Sequence, residues 1–492
     1  MVRILPAAIL SGLLLAAPSL ANVANETAAD RVYRNGVIFT AASGSAKAQA
    51  QAQALAIRDG RIVYVGNDRG VLRYIGAATV NVDLKGRFVM PGIVDGHMHP
   101  LEAGTKLLMC SLNYEALTLA EFQRRIQACL DQSKTKEPDQ WLEIVYWFQE
   151  GMRPAGFKAT RANLDGLKTQ RPVIVYSSFG HSALVNSRAL ALAKITAATP
   201  DPVGGKIWHD AKGEPTGLLE DSAFDVFKSL VPKPTAAQDV QAAVAALRAM
   251  NQQGVTSFLD AVAEPEDIAA FAAARKAGQL TARAHFAPRI LPSEAANLNA
   301  AVARVVTLRQ RYDEGAIGPA ASVTVRNSKL FLDGVIAAPA FTGAMMDPYL
   351  HNVGTAGQPR WVPGKDRGPA VYFAPDVLDK ALVALGRAGI DPHMHADGDG
   401  AVHAALDGIS ALRKALPGAD IRPAIAHDEI VYPADYARYK ALGAIPVLSF
   451  QWEKPAGDTL GLSDYFGPER MKILEPAGLL AAAGARIAFG SD

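Results

Sequence analysis

From Pro91 onward the chain alternates short apolar runs with longer stretches of helical periodicity. That alternation predicts parallel strands joined by crossover helices. Eight runs read as strands: Ile93–His97, Val255–Asp260, Ala282–Ala287, Val323–Leu332, Asp391–His395, Arg422–His427, Ile445–Phe450 and Arg486–Asp492. Eight is the number a closed (β/α)8 barrel needs, so the expected fold is α/β, a TIM-like barrel over 91–492. The intervening helices carry their own signals. Thr235 with Gln238 resembles a capping box, Gly254 ends the run that follows, and Pro375 occupies a first-turn position ahead of Val377 to Gly386.

Two segments depart from that rhythm. Residues 31–90 read as shorter strands, Val32–Thr40, Ala54–Arg58, Arg61–Val65 and Val80–Leu84, with an Asp59-Gly60 hairpin turn. They predict a small β unit, an incomplete β-sandwich. About 150 residues separate the first barrel strand from the second, far more than a βα connection requires. Residues 104–235 are therefore expected to form an inserted lid or subdomain. It holds strand-like Leu142–Phe148 and Val173–Ser177 along with Trp141, Trp147 and Trp208.

The first residues read as a leader: Arg3, an apolar run from Ile4 to Ala17, then Ser19-Leu20-Ala21. Cleavage is expected after Ala21, giving an exported protein, periplasmic or secreted. The run is shorter than the about 20 residues that span a bilayer, and no later segment is long and apolar enough to do so. Of 492 residues, 49% are hydrophobic, ample for a large core. Fifty Lys and Arg against 48 Asp and Glu leave a net charge of +2, with no basic stripe to hold a nucleic acid. The expected partner is a small-molecule substrate, and a homo-oligomer is compatible with the composition. Cys110 and Cys129 are a candidate disulfide in an exported chain, the alternative being two buried free thiols.

Polar residues that interrupt apolar strand ends carry the chemistry. His97 and His99 close the first strand, and residues i and i+2 of a strand share a face. Both imidazoles can thus reach one ion. Parallel strands open their C-terminal ends on one face, so His395 and His427 would converge on the same place. His393 shares a face with His395 but lies two residues deeper, which reads as a supporting or packing position, the alternative being that it is the ligand instead. His403 falls in the next helical pattern. Lys329 sits mid-strand among apolar residues, where burial disfavours its charge. A neutral amine can take up carbon dioxide as a carbamate, whose two oxygens bridge ions; the alternative is pairing with a buried acid such as Asp333. Asp492 stands at the end of the eighth strand, placed to accept a proton from water.

Taken together, Pro91-Gly92-Ile93-Val94-Asp95-Gly96-His97-Met98-His99, Lys329-Leu330-Phe331-Leu332-Asp333-Gly334, His395-Ala396-Asp397-Gly398-Asp399 and Phe489-Gly490-Ser491-Asp492 resemble the amidohydrolase superfamily. The resemblance is narrower to its YtcJ-like branch, which includes N-substituted formamide deformylases. Gly180-His181-Ser182-Ala183, Pro202-Val203-Gly204-Gly205 and Glu214-Pro215-Thr216-Gly217 extend it into the insertion. It implies that His97 and His99 ligate one metal, His395 and His427 another, with Lys329 bridging as a carbamate. Asp492 would be both ligand and general base. His181, in the insertion, is a candidate to hydrogen-bond the substrate carbonyl or oxyanion, the alternative being a structural role in fixing the lid. The implied cofactor is one or two divalent ions; zinc suits these ligands, and iron, manganese or nickel also match them. The implied reaction is hydrolysis of carbon–nitrogen bonds other than peptide bonds, of amide, N-acyl or formamide type. A deaminase using Glu143 or Glu220, and a catalytically silent sensor, are the alternatives. Trp147, Trp208 and Tyr349 are candidates for an apolar pocket or for ordinary packing. Relatives are expected to continue beyond Asp492 with a helix and strands that complete the small β unit. The chain is therefore expected to be C-terminally truncated, and to fold poorly as it stands.

Overall fold

The computed structural model describes residues 28–41, 52–133, 137, 139–178, 180, 182–202, 205–337, 340–355, 357–453 and 457–492. The expected leader with its cleavage after Ala21, and the candidate donor His181, lie outside the described residues. The chain divides between Gly92 and Ile93 into two compact units. No helix of the described residues is long and apolar enough to cross a membrane.

The first unit is built on a four-stranded sheet in the order Arg61–Gly66, Ala54–Arg58, Arg31–Arg34, Val80–Asp83. Asp59 and Gly60 both hold positive φ, 52° and 70°, the geometry of a two-residue hairpin turn whose twist matches its strands. Val32, Ala54, Ala56 and Val71 form its buried face.

The second unit contains the parallel strands. β1 (Ile93–Met98), β2 (Val255–Ala263), β3 (Arg283–Pro288) and β4 (Ser322–Thr324) make one sheet in the order β4-β3-β2-β1. β5 (Asn327–Phe331), β6 (Asp391–Ala396), β7 (Ala424–His427), β8 (Ile445–Leu448) and β9 (Ala488–Phe489) make a second, in sequence order. Every neighbouring pair in both sheets is parallel. The sheets meet at both edges. Ile290 N–H donates to the Lys329 carbonyl at 2.8 Å, and Asp492 N–H donates to the His97 carbonyl at 2.8 Å. At the second seam there is no room for side chains. A Cβ on Gly96 would lie 2.8 Å from the Phe489 carbonyl oxygen, and one on Gly490 would lie 2.5 Å from His97 Cβ.

The run expected as one strand over Val323–Leu332 is divided into β4 and β5. At the break the Asp313 carboxylate accepts from Val325 N–H at 3.1 Å and holds the Arg326 guanidinium at 3.0 Å. Around the sheets, the helix Ala236–Gln252 begins with the Thr235–Gln238 capping box, and Pro375 opens the helix Pro375–Arg387. Leu378, Leu382 and Leu385 of that helix pack with Met394 and Ile425 from the strands in the largest core.

Residues between β1 and β2 form a separate six-stranded sheet. Its order is Gly205–His209, Pro215–Asp221, Ser182–Val185, Val173–Ser177, Leu142–Trp147, Cys110–Ser111. Phe122, Ile126 and Leu130 line one face of the helix Leu119–Gln132 and pack on Ile144 and Trp147, so the segment has a core of its own. A disulfide joins Cys110 at the sheet edge to Cys129 in that helix.

Candidate metal centre

The strand ends bring most of the candidate ligands to one place. Ligand atoms of His97 (β1), His427 (β7) and Asp492 (after β9) lie within 4.8 Å of one another, and so do those of His395 (β6), Asp397 and His427. His427 belongs to both groups. His97 Nε2 is 3.4 Å from Asp492 Oδ1, and His99 Nε2 is 3.1 Å from the same oxygen. The Lys329 amine stands 3.3 Å from His97 Nε2, on the inner side of the cluster. His395 Nε2 is 2.8 Å from the Gly334 carbonyl and 3.4 Å from Asp397 Oδ1. His393 lies behind the cluster, its Nε2 2.9 Å from His97 Nδ1. His97, Lys329, His393, His395, Asp397 and His427 are buried, whereas the Asp492 side chain keeps 24% of its exposure.

A model of the amidohydrolase family matches residues 81–492. The chain belongs to that family. This amidohydrolase is 27% identical to the exoenzymes regulatory protein AepA of Pectobacterium carotovorum, over 84% of this chain and 83% of that protein. It is also 27% identical to the putative amidohydrolase YtcJ of Bacillus subtilis and 24% identical to the N-substituted formamide deformylase of Arthrobacter pascens. Each of those two matches covers 89% of this chain and 76% of the relative. An uncharacterised metal-dependent hydrolase of Pyrococcus furiosus superimposes with a TM-score of 0.67 at 21% identity, over 94% of this chain and 85% of that one. A second, from Pyrococcus horikoshii, gives 0.67 at 20%, over 94% and 82%. The fold is thus the α/β fold of metal-dependent amidohydrolases.

The electrostatics of the amidohydrolase centre suit a cation. Burial, reinforced by the neighbouring Lys329, holds His97 and His393 well below the usual imidazole range, and His395 down to about 4. His427 is held well below that range by burial and then by His395. Neutral imidazoles keep the lone pair that a metal needs. Burial also brings the Lys329 amine down to about 7, although Asp492, Asp397 and Asp260 pull the other way. Asp397 is pushed well up by burial, then by Glu429 and Asp333, and its buried Oδ1 has no hydrogen-bond partner. An orphaned carboxylate oxygen beside neutral imidazoles is what a divalent cation would satisfy, and the nitrogen and oxygen donors fit zinc.

Several residues support the cluster, among them Asp333, which the sequence offered only as a buried acid that Lys329 could pair with. Asp333 is buried just past β5, and its carboxylate accepts backbone N–H bonds from Ala344, Asp397 and Gly398 at 2.9–3.0 Å. It ties the chain after β6 to the chain after β5. Asp95 does the same across the seam, accepting from His97 N–H at 3.2 Å and Ser491 N–H at 3.0 Å. Asp397 follows His395 by two residues, so strand alternation was the signal that could have found it. His427 and Asp428 both hold positive φ, 82° and 52°, an uncommon backbone that turns the chain where β7 ends. Of the candidate deaminase acids, Glu143 accepts from the Tyr176 hydroxyl within the inserted sheet, and Glu220 stands on the strand Pro215–Asp221 of the same sheet. His403 pairs with Asp435 at 2.8 Å, away from the cluster on its own helix.

Proposed function

We propose that this amidohydrolase cleaves carbon–nitrogen bonds other than peptide bonds, of amide, N-acyl or formamide type, by attack of an activated water. One observation carries the reading: two histidine–carboxylate groups share His427 beside a buried lysine, at the C-terminal ends of parallel strands. His97 and His99 would hold one divalent ion, His395 and His427 a second, and zinc is the ion of choice. Such an ion supplies Lewis acidity and lowers the pKa of water to about 7, giving a nucleophile at neutral pH.

Asp492 is the proton carrier. Its partly exposed carboxylate can take a proton from the attacking water and return it to the leaving nitrogen. Lys329, neutral in part near pH 7, can attack carbon dioxide through nitrogen and lose a proton, giving a carbamate with two further ligand oxygens. His181 is assigned to the substrate carbonyl. The same proposal takes the two parallel sheets as halves of one closed (β/α)8 barrel, with the inserted sheet as its lid. It takes residues 1–21 as an export leader, which N-terminal sequencing of the mature protein checks.

Metal content by mass spectrometry, with His97→Ala and Lys329→Ala beside the parent, tests the centre. The expected result is at least one ion per parent chain and a loss in both variants; unchanged loading in both would sink the assignment. Turnover of N-acyl amino acids, N-substituted formamides and cyclic imides tests the reaction. Amine plus acid from the first two, or the ring-opened amide acid from the third, supports it, and ammonia release from an aminated heterocycle would point to the deaminase alternative. A silent, regulatory role is the second reading. It is favoured by the regulatory name of the Pectobacterium relative, and any metal-dependent turnover excludes it.

A further inference from the structure

Four aromatic side chains outside the metal cluster line one cavity of about 630 Å³: Phe341, Tyr349, Trp361 and Tyr465. They form a chain of ring contacts, with centroids 5.1 Å apart for Phe341–Tyr349, 4.6 Å for Phe341–Tyr465 and 5.1 Å for Trp361–Tyr465. Neighbouring elements hold the rings in place. Tyr349 is buried, donates its hydroxyl to the Gly343 carbonyl at 3.2 Å and stacks on Phe466 at 5.7 Å. Trp361 stands on the small hairpin of Leu350–Asn352 and Trp361–Pro363. The volume lies in the range of small-molecule sites, and the mostly aromatic lining is the kind that takes a planar ring.

The cavity wall is built on loops that also carry the candidate metal centre. Phe341, Tyr349 and Tyr465 pack in one cluster with Ile336 and Ile430. Ile336 is three residues past Asp333 and Ile430 three past His427, and Ile430 N–H donates to the Asp397 carbonyl at 3.2 Å. Ala344, next to the carbonyl that Tyr349 bonds, donates its N–H to Asp333 at 2.9 Å. The rings therefore rest on the loops that leave β5 and β7.

The rim carries charges of both signs. Lys365 is exposed and makes no ion pair among the described residues, and the Asp366 carboxylate lines the same cavity, its Oδ1 accepting from Gly368 N–H at 2.9 Å. The rim therefore sets no preference for one ligand charge, and the rings are what the cavity offers a ligand.

We infer that this cavity binds a planar aromatic ring, as the aryl part of the substrate. The inference rests on the hydrolase reading for its role in turnover, and on the cavity alone for binding. Calorimetric titration of the full chain with phenylacetate, acetate, phenethylamine and tetramethylammonium tests the binding. Phenylacetate and phenethylamine are each expected to bind at least tenfold more tightly than acetate and tetramethylammonium. Trp361→Ala should weaken both about tenfold, the worth of one good ring contact plus lost area. Tyr465→Leu, at a half-buried position, should weaken both as well, so the test stands if Trp361→Ala folds badly. Acetate binding as tight as phenylacetate, tetramethylammonium binding as tight as phenethylamine, or ring binding that neither substitution alters would overturn the proposal. In turnover, Trp361→Ala should lower the preference for phenylacetyl over acetyl amides about tenfold through KM. Absence of all turnover would count against the hydrolase reading, while the titrations still decide the ring site.

Discussion

Asp333 offers the sharpest test of how the centre is held. Its buried carboxylate serves three backbone donors, with Oδ1 taking Asp397 N–H and Oδ2 taking Ala344 and Gly398 N–H. A buried donor stripped of its acceptor costs about 1–3 kcal/mol. Asp333→Asn can orient its one oxygen toward the two donors that share Oδ2, leaving a single N–H facing an amide NH2, for a loss of about 2 kcal/mol. Asp333→Ala abandons all three donors and opens a cavity, for about 5 kcal/mol. The same bonds fix Asp397 beside His395, so both variants should weaken metal binding, by about ten- to a hundredfold as for other residues that orient ligands. Urea unfolding followed by tryptophan fluorescence gives the stabilities, and chelator competition gives the affinities. If the two variants unfold within about 1 kcal/mol of each other and of the parent, the carboxylate is not the clamp described here.

Three further outcomes follow from separate parts of the molecule. Burial pushes Asp267 up to about 6 from an unfolded value near 3.9, so the stability it contributes is present below about pH 4 and is lost as pH rises through 6. Asp267→Asn should therefore gain on the parent between pH 4 and 7 in paired urea titrations, and a constant gap would contradict this. Cys129→Ser opens a loop of 19 residues' separation in the inserted sheet. It should cost about 3 kcal/mol, with the parent losing the same amount in reductant. Gly490→Ala would place a Cβ 2.5 Å from His97 Cβ and 2.7 Å from its carbonyl oxygen, both on a ligand-bearing strand. Metal per chain should fall, and full loading of that variant would mean the seam yields more easily than its contacts imply.

Much of the strand set was legible because burial on both faces leaves near-continuous apolar runs. Ile93, Val255, Asn327, Asp391, Ala424 and Ile445 begin strands within a few residues of the expected places, or inside them. The last strand was overestimated. Only Ala488 and Phe489 pair with β8, and the chain then leaves the ladder to reach Asp492 at φ 60°. The six-stranded sheet between β1 and β2 was visible only as two strand-like pieces. Its edge pieces are short, and Gly205–His209 carries polar residues that give no alternating signal. The break at Val325-Arg326 depends on Asp313, twelve residues before Val325 and outside any strand pattern.

The metal centre shows why face can be read from sequence while depth cannot. His393 and His395 alternate along β6 and Asp397 follows it in the same rhythm, so the pattern assigns all three to one face. Their surroundings diverge because neighbouring strands meet them at different heights. Lys329 pairs with His393, Phe331 with His395, and His427 with Ala396. His393 is thus level with the lysine, where its Nε2 meets the back of His97. His395 sits one layer higher, its ring 4.4 Å from that of His427, and Asp397 reaches the lip with an oxygen no backbone donor claims. Those registers are set by where Arg326 and Asp313 end β4, and by Asp333 pulling the chain after β6 onto the chain after β5. A shift of two residues in either pairing would keep every side chain on its face. It would also put His393 at the level where His395 now stands. The candidate ligand set is therefore a property of inter-strand register, which acids outside the strands enforce.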